Sequence, residues 1–89
     1  MDKQTIVSAF YNAISNNAEI TRAIFGNSAI PNQNEYNLIE STLLTLSSVN
    51  FVDLLIEVEE QLEIEFAEDF LTMSKITIGD LAEKIKAYV

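Results

Sequence analysis

Residues 46–66 read LSSVNFVDLLIEVEEQLEIEF: two serines open an acidic, apolar-periodic run that holds no basic residue. Phe51, Leu54, Leu55, Val58 and Leu62 recur at three- and four-residue steps, so in a helix they form one wide stripe facing a core. At about 100° per residue, Val49, Val52 and Ile56 fall on a second, narrower stripe, interleaved with Asp53, Glu59 and Glu60. A second apolar stripe is hard to bury in a small domain. The spacing predicts a helix over 48–63 with Ser47 or Ser48 as its N-cap.

Upstream, Asp2 is placed to cap a first helix over 2–16, in which Ile6, Val7, Phe10, Ala13 and Ile14 keep helical spacing. Asn16-Asn17 is a natural stop, since asparagine tolerates the left-handed geometry that ends helices. Residues 17–46 read as a long connection broken at Gly26-Asn27 and Ile30-Pro31. Ile20, Ala23 and Ile24, and then Tyr36, Ile39 and Leu43, are spaced for one or two helical turns each. A loop of this length has to be pinned, and Ile24, Phe25, Leu38, Leu44 and Leu46 are the candidates.

Downstream, residues 67–74 read as a short third helix with Phe70 and Leu71 inward. Thr77 and Asp80 have capping-box spacing, with aspartate in the usual glutamate position, and Ile78, Leu81, Ile85 and Val89 form a closing helical stripe. No strand pattern and no repeat is evident. The expected class is all-α: three main helices and a short one in a single domain over 1–89.

Composition narrows the function. Without cysteine or histidine there are no disulfides, no thiolate zinc site, no cysteine nucleophile and no imidazole acid or base. A net charge of −9 opposes nucleic acid and anionic lipid, and it favours partners that present lysine and arginine. No run reaches the roughly 20 apolar residues that cross a bilayer, and MDKQTIVSAF lacks a basic segment followed by a long apolar one. A soluble, cytoplasmic chain is expected.

Ser48 followed by Val49, the run Phe51-Val52-Asp53-Leu54-Leu55, the run from Glu57 to Leu62, and then Ile64 and Phe66 together resemble the second helix of the acyl carrier protein family. Thr77-Ile78-Gly79-Asp80 opening the last helix extends the likeness over most of the chain. The resemblance implies a four-helix acyl-carrier bundle with a long loop between its first and second helices. It implies 4'-phosphopantetheine on Ser48, attached from coenzyme A by a phosphopantetheinyl transferase. It also implies a monomeric, non-enzymatic carrier that docks an acyltransferase, ketosynthase or adenylating ligase of fatty-acid, polyketide or related biosynthesis. Val49, Val52, Asp53, Ile56, Glu59 and Glu60 would meet basic surfaces on those partners. Ser47 stands where the family usually has aspartate, Thr45 near its usual glycine, and Asn50 in place of a common acid, so Ser47 is the fallback attachment site.

Each of these residues also has a plainer reading. A serine before an apolar run is commonly a cap alone, and an acidic run is commonly a solvated face. The acids follow no calcium-loop spacing, and the adjacent Glu59 and Glu60 point apart on a helix, which argues against a paired-carboxylate site. The alternative to a carrier is therefore an acidic helical interaction module without a prosthetic group.

Overall fold

The computed structural model describes residues 1–66 and 75–88. Helix α1 (Lys3–Ser15) starts where Asp2 Oδ1 accepts the Thr5 N–H at 2.8 Å, a bond that holds the Asp2 carboxyl below its usual pKa. It buries Ile6, Val7, Ala9, Phe10, Ala13 and Ile14. Its end differs from expectation: Asn16 stays right-handed at φ −86°, and the chain turns at Asn17, which is extended. The Asn17 side chain then accepts the Ile20 N–H at 3.1 Å and starts α2 (Ala18–Phe25). One asparagine thus ends a helix by beginning the next.

Residues 17–46 are consequently more structured than a long connection. Helix α2 buries Ile20, and its Thr21 hydroxyl donates to the Ile14 carbonyl, fastening it to α1. It stops at Gly26, whose φ of 61° and ψ of −125° only glycine adopts without strain. The Tyr11 hydroxyl donates to the Pro31 carbonyl at 2.7 Å and pins the following loop. A short α3 (Tyr36–Glu40) buries Ile39, whereas Leu38, expected as a pin, is 54% exposed. Leu43, expected on a helical stripe, belongs instead to a two-residue strand β1 (Leu43–Leu44), where it faces out and Leu44 faces in.

Helix α4 (Ser48–Leu62) and α5 (Ile78–Tyr88) complete the helices of the described residues. Strand β2 (Ile76–Thr77) pairs antiparallel with β1, Leu43 opposite Thr77 and Leu44 opposite Ile76. No strand was expected, because two residues are too few for a period-two pattern. Thr77 Oγ1 accepts the Asp80 N–H at 3.1 Å, so the predicted cap of the last helix forms. The helix expected over 67–74, with Phe70 and Leu71, lies outside the described residues, as does Val89.

The result is a mostly helical fold in which α1 packs against both α4 and α5 and also touches α2 and α3. Lys3 reaches Glu40 of α3 at 3.5 Å and Glu83 of α5 at 3.6 Å. Burial alone would lower the Lys3 pKa, but these two carboxylates outweigh it and raise it. Among the described residues the core contains no buried polar or charged side chain, so every group able to do chemistry there sits at the surface. No helix of the described residues is long and apolar enough to cross a membrane.

Candidate functional site

The two serines do different work at the start of α4. Ser47 is extended (φ −64°, ψ 162°), its carbonyl accepts the Phe51 N–H at 2.9 Å, and its hydroxyl accepts the Asn50 N–H at 3.2 Å. It is the N-cap. Ser48 is the first helical residue; it is exposed, and no described residue hydrogen-bonds its hydroxyl. One hydroxyl satisfies the backbone while its neighbour is left facing solvent.

Electrostatics at this end favour an anion. A helix N-terminus carries about half a positive charge and unpaired N–H groups, and the first turn of α4 contains no acid to neutralise it. Asn50 occupies that turn without cancelling the field. Ser48 is therefore a primary alcohol at a spot that tolerates a phosphodiester. The chain has no imidazole to deprotonate it.

The far end of α4 is the reverse. Its last turn has no basic residue, and the exposed Glu60 stands near the negative end, where a helix dipole disfavours negative charge. Asp53 and Glu57, and likewise Glu57 and Glu60, are like charges at helical-neighbour spacing, which adds about 0.2–0.5 kcal/mol of repulsion per pair. Both ion pairs among the described residues use Lys3, and neither reaches α4. Among the described residues, no ion pair neutralises the charge of this helix.

The inward stripe is buried as expected at Phe51, Leu54, Leu55 and Val58, with Leu62 partly buried. On the other side Val49 is 71% and Ile56 45% exposed, while Val52 is half-buried; Asp53 and Glu60 are exposed beside them. Glu59 stands apart from this group. It is half-buried, and its Oε2 accepts the Phe66 N–H at 2.6 Å, while its carbonyl accepts the Ile64 N–H at 3.2 Å. Its side chain clasps the chain leaving α4, a role that no local spacing signals because donor and acceptor are seven residues apart.

Sequence reading also missed what holds the serines from behind. The Ile78 N–H donates to the Thr42 carbonyl at 2.9 Å next to the β1–β2 pair, so the segment leading into Ser47 is tied to the start of α5. The β-branched Ile76-Thr77 was the only local hint. Comparison with known proteins found no matching family model, no matching curated protein and no matching solved structure.

Proposed function

We propose that this chain is an acyl-carrier-like protein whose Ser48 is esterified by 4'-phosphopantetheine. The observation that carries the reading is the division of labour at the start of α4: Ser47 caps, and Ser48 presents an unengaged hydroxyl at the helix's positive end. An outside helper is part of this reading, since the chain offers no imidazole base. A phosphopantetheinyl transferase would bring the base and coenzyme A. The Ser48 oxygen would form the new phosphodiester as the bond to the adenosine 3',5'-bisphosphate half of coenzyme A breaks, with the serine proton passing to the transferase.

When bound, the group supplies a terminal thiol that this cysteine-free chain lacks, able to hold an acyl or aminoacyl thioester. The chain's own residues position the attachment oxygen and present a docking face. Val49, Val52 and Ile56 provide aliphatic contact, and Asp53 and Glu60 steer basic partners such as an acyltransferase, ketosynthase or adenylating ligase. The exposed carboxylates of α4, which no cation of the described residues pairs, support this, since a basic partner would relieve their mutual repulsion. The serine-led helix between α1 and α5 also supports the finer architecture of an acyl-carrier bundle.

The test is mass. Incubating the apo protein with coenzyme A and a broad-specificity transferase should add one phosphopantetheine, and Ser48→Ala should abolish the addition. No added mass on the unmodified sequence would favour an acidic interaction module instead. Loss of the addition in Ser47→Ala alone would move the attachment one residue earlier.

A further inference from the structure

We infer that Gly79, far from Ser48 in sequence, is a positioning residue for the Ser48 hydroxyl, acting through a backbone clamp between the start of α5 and the segment that delivers the serines. The inference rests on Ser48 being the attachment site.

The clamp is built from adjacent contacts. Gly79 is buried where α3 meets α5, and a Cβ there would run into Glu40 Cγ and lie 3.0 Å from the Glu40 carbonyl oxygen. Glycine is what permits this approach. Two residues beyond Glu40, the Thr42 carbonyl accepts the N–H of Ile78, the residue preceding Gly79. Next, Leu43 and Leu44 pair with Thr77 and Ile76. Only Thr45 and Leu46 then separate the pair from Ser47. Ser48 is therefore fixed from both sides: by the buried stripe of α4 after it, and by this clamp before it.

The two sides predict different kinetic signatures. The docking face of α4 governs how tightly a transferase binds, and Gly79 is not part of it. The clamp governs where the reacting oxygen lies once the transferase has bound. A displacement of the order of 1 Å at a reacting atom costs up to about a hundredfold in rate. Gly79→Ala pushes α3 from α5 by a fraction of that distance, and about a tenfold loss is expected.

The experiment measures phosphopantetheinylation by a broad-specificity transferase at varied carrier concentration, alongside amide exchange at Ile78 and helicity by circular dichroism. Gly79→Ala should lower kcat about tenfold with KM for the carrier unchanged, and should speed Ile78 exchange while helicity holds. Glu40→Ala in the same chain removes the worst clash, and the double variant should recover most of kcat and of Ile78 protection. Glu40→Ala alone, which also removes the ion pair with Lys3, is the reference against which that recovery is read.

A loss that appears as raised KM with reduced helicity, and is not recovered by Glu40→Ala, would overturn the inference in favour of simple destabilisation. Faster Ile78 exchange with unchanged kcat would show a clamp that does not position the serine, and would overturn it while leaving the carrier reading intact. Absence of modification in the unsubstituted protein would instead sink the reading on which the inference stands.

Discussion

The two faces of α4 are made of the same kinds of residue and have opposite fates. Inward, Phe51, Leu54, Leu55 and Val58 are at most 3% exposed and pack with α1 in the core. Outward, Val49 and Ile56 keep about half or more of their surface in water, beside carboxylates that no cation of the described residues neutralises. Folding accounts for the first face. It does not require the second, where aliphatic surface stays wet beside carboxylates. The difference teaches that a residue kept against its folding preference is better evidence of function than one kept in agreement with it.

The largest effect should come from the inward side. Leu55→Ala empties a fully buried position and should lower stability by about 2–5 kcal/mol in urea unfolding. A loss below about 1 kcal/mol would mean that the two faces differ less than their burial implies. Next is the helix start, where adjacent serines should behave differently. Ser47→Ala should cost about 1 kcal/mol through the lost cap, while Ser48→Ala should stay within about 0.5 kcal/mol. Equal costs would dissolve the division of labour on which the attachment assignment depends.

Smaller still, and of opposite sign, is the change at Glu63. This residue follows the last turn of α4 in the left-handed conformation (φ 56°, ψ 44°), which glycine adopts more readily, and it adds negative charge at the negative end. Glu63→Gly should therefore raise stability by about 0.5–1 kcal/mol in the same urea titration. A decrease would show that the side chain makes a favourable interaction that offsets both penalties.

Legibility followed range. The helical stripes of α1, α4 and α5, and the caps at Asp2 and Thr77, were readable because each is settled within a few residues of itself, while at α4 the sequence narrowed the cap to Ser47 or Ser48 and the Asn50 N–H bond picks Ser47. What escaped was settled by distant partners. Leu43 has a helical neighbour spacing with Ile39 yet pairs with Thr77, and Leu38 faces solvent because α3 is too short to bury two faces. Glu59 was grouped with the docking carboxylates on spacing alone, and its bond to the Phe66 N–H depends on how the chain turns after Glu63. At the candidate site, the position of Ser48 at the helix start was readable, whereas its brace at Thr42, Ile78 and Gly79 was not, because nothing local to residues 40–48 refers to the last helix.

The smallest effect on folding should belong to the outward face, and that is what makes it diagnostic. Val49→Ser with Ile56→Ser removes exposed aliphatic surface without emptying the core, and valine, isoleucine and serine have similar helix propensities. Stability should change by no more than about 0.5 kcal/mol. Asp53→Lys with Glu60→Lys relieves repulsion along α4 and places a cation nearer its negative end, so helicity should be unchanged or slightly higher. If the face exists for partners, each pair of substitutions should nonetheless slow thioester transfer to or from a basic catalytic partner. The charge-reversed chain should show the larger loss at low salt, where steering is strongest, and the serine pair a loss that salt leaves nearly unchanged. Transfer rates equal to the starting protein in both chains would leave the wet valine and isoleucine, and the crowded carboxylates, as nothing more than a solvated surface.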